Sequence, residues 1–425
     1  MVRKMAQETL EKFEGENKEN NFKQTEIGLI PEDWEVVRFE GSILKRRIKV
    51  GKIKQQEYKG FGKYPIIDQS QNYIAGFCDD DKKVYRGELP VIIFGDHTRV
   101  FKFVNFPFVV GADGVKVLIP NKEIYDPKFL FYAMLTLNIP SRGYNRHYKL
   151  LREKKLPLPP LSEQRKIVRV LDKIQQAIEL QDRIIEQAKN LKKSLMQKLF
   201  TEGLYGEGQK ETEIGLIPKS WEMVRLGEIA RFKNGINFIK EQKGNKGILT
   251  IDVFNMYSEN IYLDIKETNL YRVNLKVNSD YLLRPGDILF VRSSLKREGV
   301  GWASLFNGYD EPVTFCGFII RARLLDKQEI LPEFVTYFFR GDIARREFMA
   351  GSEQVAITNI NQGRLKSFKI PLPPLEEQKQ IAHILSVVDE KIEVEQKRKQ
   401  VLKELFKTVL HRLMSGETRL KEVEI

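Results

Sequence analysis

Lys45, Arg46, Arg47 and Lys49 lie within five positions of one another. Gln69, Ser70, Gln71 and Asn72 follow, then His97, Thr98 and Arg99 after a Gly95-Asp96 turn, then Tyr144, Asn145, Arg146 and His147. A second set comprises Asn234, Asn237 and Lys240, then Arg292, Ser293, Ser294, Lys296 and Arg297, and finally Ser352, Gln354 and Asn359. Arg and Lys neutralise phosphate or donate to guanine. Asn and Gln pair with the edge of adenine, and Ser and Thr serve either role. Any one of these is also an ordinary solvated loop side chain, so it is the clustering that makes them candidate nucleic-acid contacts.

Catalytic chemistry finds no comparable pattern. Pro159-Pro160 and Pro373-Pro374 are each flanked by leucines, with no polar residue to hold a target amine. Gly203, Gly206 and Gly208 are wrongly spaced for a cofactor turn, and no GxxxxGKS/T run is present. Glu57-Tyr58-Lys59 lacks an upstream metal-binding aspartate. The histidines His97, His147, His383 and His411 are scattered, without zinc spacing. The reading is a chain that binds no cofactor or metal of its own.

The net charge is +13, and its position matters more than its size. Residues 41–155 hold 22 Lys/Arg against 11 Asp/Glu, and residues 228–369 hold 21 against 17. Residues 370–425 balance at 10 and 10. A basic excess confined to two segments points to polyanions, DNA or RNA first, although a solvated basic surface would give the same sum. No apolar run is long enough to span a membrane. The N-terminus is polar and of mixed charge, unlike a signal peptide. Two isolated cysteines, Cys78 and Cys316, fit a reducing, cytoplasmic compartment.

The elements that must position these clusters are written twice. TEIGLIPEDWEVVR at Thr25–Arg38 returns as TEIGLIPKSWEMVR at Thr212–Arg225, identical at 11 of 14 positions. LPLPPLSEQRKIVRVL at Leu156–Leu171 returns as IPLPPLEEQKQIAHIL at Ile370–Leu385, identical at 9 of 16. The offset grows from 187 to 214, so one frame carries two different inserts, the second 27 residues longer. After each PLPP a helix is expected, with Ser162 as N-cap and Glu163 near its positive end. Ile167, Leu171, Ile174, Ile178, Ile185, Ala188, Leu195 and Leu199 alternate spacings of four and three, broken by Gln181 and Lys192. Ile381, Leu385, Val388, Ile392, Leu402, Phe406, Val409 and Leu413 repeat the pattern, and Gly203 and Gly416 read as stops. Each stripe needs a partner, either the other helix or its own globular segment. Pairing predicts an antiparallel coil with an insert at each end. Each TEIGLIP would then lie beside the far end of the other half's helix.

The inserts read as mixed α and β. Strands are expected at Tyr64–Ile67, Leu89–Phe94, Phe106–Val110, Asp287–Val291 and Phe315–Ile320, and short helices at Pro127–Leu137 and Pro332–Arg340. The fold class is α+β: two mixed α/β domains separated by an antiparallel coiled coil of two long helices, with an internal pseudo-two-fold repeat. The expected divisions are an extension at 1–24, a first domain at 25–155 and a first long helix at 156–204. A second domain at 205–369 and a second helix at 370–425 follow.

Two variable basic inserts, each preceded by IGLIPxxWExVR and followed by PLPPLxEQ and a long helix, resemble the specificity (S) subunit of type I restriction–modification systems. The resemblance covers about residues 25–420. It implies that each insert is a target-recognition domain reading half of a split DNA sequence, with the helices fixing the gap. It implies a non-catalytic chain that docks two methyltransferase (M) subunits and, through them, two restriction/translocase (R) subunits. S-adenosylmethionine, ATP and Mg would then reside on those partners. The rival readings are a stand-alone DNA methyltransferase or nuclease with an unrecognised site, and an RNA-binding coiled-coil adaptor.

Overall fold

The computed structural model describes residues 21–46, 51–266, 270–325, 329–350 and 358–420. The candidates Arg47, Lys49, Ser352 and Gln354 lie outside them. The chain divides into two compact units, one joining the described residues up to Gln181 with those from Arg398, the other running from Asp182 to Lys397. Both cuts fall within long helices, α1 (Leu161–Glu202) and α2 (Leu375–Met414). Each unit therefore contains half of each helix, whereas a division at the repeat boundaries would leave both stripes uncovered.

The two repeated motifs turn out to be partners. Glu35–Arg38 pairs antiparallel with Lys155–Leu158, and Glu222–Arg225 pairs with Lys369–Leu372 in the same register. Each insert thus leaves and returns through adjacent strands. Pro157 and Pro371 are tolerated because these ladders have only two strands. Below the ladder, the buried Trp34 donates its indole N–H to Glu163 Oε2 at 3.1 Å, and Trp221 does the same to Glu377 Oε2 at 2.9 Å.

The neighbouring glutamine completes the joint. Gln164 donates to the Pro159 and Ile124 carbonyls at 2.8 and 2.9 Å and accepts from Asp126 N at 2.8 Å. Gln378 donates to the Pro373 and Glu329 carbonyls at 2.8 and 3.1 Å and accepts from Leu331 N at 2.8 Å. Each Glu-Gln pair therefore fixes the start of a long helix to the tryptophan and to the short helix before it, Pro127–Leu135 or Pro332–Arg340. Ser162 is not the N-cap. The Pro160 carbonyl accepts from Glu163 N and Gln164 N, so Ser162 lies inside the first turn.

Within each unit the helix halves run antiparallel. Ile167 and Leu171 share a core with Val409, Leu410 and Leu413, while Met196, Leu199 and Phe200 share another with Ile381 and Leu385. Lys192, a polar break in the stripe, pairs with Asp389 at 2.5 Å. Burial pushes the Lys192 ammonium below its ordinary value, with Asp389 opposing. Both helices stop at a glycine with positive φ, Gly203 at 64° and Gly416 at 74°. A Cβ on Gly416 would lie 2.4 Å from Pro31, and one on Gly203 would lie 3.0 Å from Pro218. Each helix thus ends against the hairpin that opens the other repeat, Gln209–Pro218 for α1 and Phe22–Pro31 for α2.

The two joints differ in one respect. In unit 1 the Arg419 guanidinium reaches Glu163 at 2.7 and 2.8 Å and Asp33 at 2.9 and 3.0 Å. In unit 2 the corresponding partner of Glu377 is a neutral backbone donor, Leu204 N at 2.9 Å.

The inserts share a topology. Unit 1 contributes β1 (Tyr64–Ile67), β2 (Gly76–Cys78), β3 (Val91–Gly95), β4 (Phe101–Val104), β5 (Val109–Gly111) and β6 (Val115–Leu118). Unit 2 contributes β7 (Ile248–Ile251), β8 (Tyr271–Val273), β9 (Ile288–Val291), β10 (Ala303–Leu305), β11 (Val313–Phe315) and β12 (Ile319–Leu324). β1 pairs antiparallel with β2 and parallel with β5, as β7 does with β8 and β11. β3 lies between β4 and β6, antiparallel to both, as β9 does between β10 and β12. The strand expected at Phe315–Ile320 is two strands, the end of β11 and the start of β12, joined through Gly317. A Cβ there would meet Asn237 Oδ1 at 2.1 Å. The strand expected at Phe106–Val110 starts only at Val109.

Glu163→Gln leaves the buried Arg419 partly unpaired and facing an amide N–H, whereas Glu377→Gln deprives only one neutral N–H donor, that of Trp221 or Leu204, of its acceptor. Glu163→Gln is expected to cost about 3 kcal/mol and Glu377→Gln about 1 kcal/mol, read as unfolding midpoints of the two variants. Equal losses would contradict this difference between the joints.

Candidate nucleic-acid interface

In unit 1 the polar candidates gather where β1 and β3 end. Asp68 follows β1 and accepts from Ser70 N at 2.9 Å and the Ser70 hydroxyl at 2.6 Å. Lys102, buried on β4, lies 3.6 Å from Asp68 and donates to the Asn72 carbonyl at 2.5 Å. Burial lowers the Lys102 pKa and Asp68 opposes it. The Tyr58 hydroxyl beside Asp68 is pushed up to about 12, by burial first and the carboxylate second. These contacts fix the path of the 68–72 loop.

The loop leaving β3 is tied to it. Gln69 Oε1 accepts from His97 N at 3.1 Å, and the Thr98 hydroxyl donates to the Gln69 carbonyl at 2.6 Å. Gly114, with φ 71°, makes room: a Cβ there would stand 2.7 Å from Gln69 Oε1. Tyr144, 83% exposed, stacks on His97 with ring centroids 4.5 Å apart and planes 8° apart. Gln69, Ser70, His97, Thr98 and Tyr144 therefore converge.

The other unit 1 candidates sit as follows. Lys45, Gln71, Asn72 and Arg146 are exposed. Arg46 is exposed and pairs with Glu88 at 3.4 Å, and the exposed Asn145 donates to the Arg142 carbonyl. Arg99 adopts φ 63° and donates to the Ile139 carbonyl at 2.9 Å. His147 must be removed from the contact set. It is wholly buried, with Nδ1 2.9 Å from the Asp96 carbonyl and Nε2 accepting from Arg142 N at 3.1 Å. Both ring nitrogens are spent on holding the 141–147 loop to the turn after β3.

Unit 2 repeats the plan with different residues. Asp252 ends β7 as Asp68 ends β1, accepting from Val253 N at 2.7 Å and the Tyr271 hydroxyl at 2.9 Å. After β9, the Arg292 side chain donates to the Gly317 carbonyl at 3.3 Å. The Ser293 hydroxyl donates to Asn359 Oδ1, and the two backbones pair as well. Ser294 Oγ accepts from Lys296 N at 3.2 Å, Arg297 donates to the Met349 carbonyl, and Lys296 is exposed. Asn234 Oδ1 accepts from Gln362 at 3.1 Å, while Asn237 and Lys240 are exposed.

Sequence reasoning missed Asp68, Asp252, Lys102, Tyr58 and Tyr271. The two aspartates did leave a signal, since Ile66-Ile67-Asp68 and Thr250-Ile251-Asp252 each place an acid directly after a buried strand. Among the described residues no group of three His, Cys, Asp or Glu side chains could hold a metal, and no helix is long and apolar enough to cross a membrane.

The chain matches the family described as Type I restriction modification DNA specificity domain twice, over residues 31–190 and 218–404. It is 28% identical to the type I restriction enzyme MjaVIII specificity subunit of Methanocaldococcus jannaschii, over 96% of this chain and 98% of that one. It is 30% identical to the putative MjaX specificity subunit of the same organism, over 95% and 98%. Among solved structures, the S subunit of a type I restriction–modification system from M. genitalium aligns with a TM-score of 0.53 at 17% identity, over 94% of this chain and 97% of that one. A chain from a study of complex assembly and conformational transition in the type I system aligns at 0.54, also at 17% identity, over 91% and 99%. At such identities the structural likeness speaks for the fold.

The geometry separates a structural histidine from exposed contacts. His147→Ala is expected to cost about 2 kcal/mol of stability and to leave the bound DNA sequence unchanged. Tyr144→Ala should keep stability within about 0.5 kcal/mol and weaken duplex binding. Denaturant unfolding and equilibrium binding of the two variants distinguish them, and the reverse pattern would overturn the assignment.

Proposed function

The chain belongs to the family of type I restriction–modification DNA specificity subunits, the DNA-recognition and non-catalytic components of those systems, and from that premise we propose how it divides the work. Each insert reads one half of a bipartite duplex sequence. In unit 1 the readers are Gln69, Ser70, His97, Thr98 and Tyr144, with Lys45, Arg46 and Arg146 on phosphate. In unit 2 they are Arg292, Ser293, Ser294 and Asn359, with Lys240, Lys296 and Arg297 on phosphate. The α1–α2 pair sets the gap between half-sites.

The observation that carries this reading is the duplicated joint. Two equivalent Trp–Glu–Gln latches present two inserts of the same strand topology, the second 27 residues longer than the first. A protein reading one continuous site has no use for two such frames.

The frame also offers the same surface twice. Leu29 and Leu216 are 58% and 52% exposed at the same position of the repeated hairpin. We assign the hairpins and the helix faces to two methyltransferase subunits, which would bind by one rule applied twice, and through them to two restriction/translocase subunits. S-adenosylmethionine, ATP and Mg belong on those partners. The free, buried Cys78 and Cys316 suit a cytoplasmic assembly.

The test is an insert exchange. Residues 41–155 are replaced by the corresponding insert of a relative, the chain is assembled with its methyltransferase, and methylated positions are mapped across a genome. One half of the target sequence should change while the other half and the gap stay as they were. A change in both halves, or methylation by the purified chain alone, would contradict the proposal.

A further inference from the structure

The loops leaving β1 and β3 in unit 1 are bridged by Gln69, His97 and Thr98. In unit 2 a groove of about 850 Å³ is lined by residues of the equivalent loops, those leaving β7 and β9. Its floor is Tyr257 and Trp302, whose ring centroids lie 6.2 Å apart. The floor is rigid. Trp302 donates to the Met256 carbonyl at 2.9 Å, and the Arg340 guanidinium sits 4.6 Å from the Trp302 ring while donating to the Ala303 and Ser258 carbonyls at 2.7 and 3.0 Å.

The walls are Leu295 and Phe318, 87% and 61% exposed. An exposed apolar patch rimmed by polar groups marks an interaction site. Polar groups surround these two side chains. Ser293 and Asn359 pair at the rim, and Lys296 and Arg297 follow Leu295 in the chain. Two acids also border the groove, Asp252, which is hydrogen-bonded to Val253 N and Tyr271, and the exposed Glu298.

The occupant can be argued from these features. A protein partner burying Leu295 would also have to desolvate the neighbouring lysine and arginine. A duplex covers the apolar wall with a base edge while phosphates meet the cations. The apolar group that a duplex offers in its major groove is the C5-methyl of thymine. The second insert also carries a much smaller basic excess than the first, 21 Lys/Arg against 17 Asp/Glu rather than 22 against 11. Its readout must therefore lean less on phosphate attraction.

We propose that the groove lined by the loops leaving β7 and β9 receives a thymine methyl in the half-site read by unit 2, with Leu295 and Phe318 as specificity-determining contacts. This rests on the reading that unit 2 recognises DNA. It adds a chemical class of base and two residues absent from the polar candidate set.

The experiment uses the full chain assembled with its methyltransferase and a duplex carrying the mapped target. Each thymine is replaced in turn by uracil, which lacks only the methyl, and binding is compared with that of the double variant Leu295→Ser, Phe318→Ser. One uracil in the unit 2 half-site should weaken binding about fourfold, the equivalent of one buried methyl. The double variant should lose at least as much on the thymine duplex and no longer distinguish thymine from uracil there. Its response to uracil in the other half-site should match that of the unaltered complex, and its thermal midpoint should be unchanged.

A double variant that keeps the preference for thymine overturns the proposal. So does a unit 2 half-site without thymine, or one in which every thymine can be replaced without loss. Failure of the unaltered complex to bind any sequence specifically would instead overturn the parent reading, and this one with it.

Discussion

The hydrogen bond from a buried indole N–H to the glutamate of PLPPLxEQ is the constraint on which this molecule depends. It joins the two motifs that sequence repeats far apart, at 3.1 Å in one unit and 2.9 Å in the other. A buried carboxylate is tolerable only when its lone pairs are filled. The tryptophan fills one, and the end of the opposing helix region supplies the rest, through Arg419 or Leu204 N. The same joint therefore fixes where the insert begins and where the long helix starts. It also fixes which helix end lies alongside. Variation in the inserts can proceed without disturbing any of the three.

The pairing of α1 with α2 is specified by polar as well as apolar contacts. A leucine-rich stripe would tolerate slippage by a turn, but a buried Lys192–Asp389 pair would not. Asp389 also accepts from the Tyr337 hydroxyl at 2.8 Å, and Asp172 accepts from Tyr132 at 2.5 Å. In both units, then, the short helix preceding the frame is locked to a long helix by a tyrosine–aspartate bond. We read these contacts as devices that hold register, which a spacer between two recognition domains requires more than it requires stability.

The sequence made the frame legible because the frame is repeated. Identical residues marked the TEIGLIP and PLPP segments, though not the hairpin that the first of them closes, and the three-four spacing located both long helices, with Gly203 and Gly416 as their ends. The short helix at Pro332–Arg340 and the strand at Tyr64–Ile67 were read with their observed bounds. The site was only partly legible. Gln69, His97, Thr98 and Tyr144 belong together, but nothing local shows that Tyr144 reaches back across 47 residues to stack on His97. His147 was misread because an imidazole in a polar loop looks the same whether its nitrogens face water or two backbone groups. Asp68 and Asp252 were passed over because an acid after a strand resembles an ordinary turn residue, and only the folded chain brings Lys102 and Tyr271 to them. The apolar groove of unit 2 escaped because a lone leucine between serine and lysine carries no periodic signal.

The central claim is that the helix pair measures distance along the duplex. It is tested most directly by inserting seven residues into each long helix, at Gln181–Asp182 and at Lys397–Arg398, where the two units divide. A heptad keeps the apolar stripe in phase and lengthens each helix by about 10 Å, about three base pairs at 3.4 Å per step. Methylation mapping of the lengthened complex should return both half-sites unaltered, with the gap between them wider by about three base pairs. Unaltered half-sites at the original gap would contradict the account.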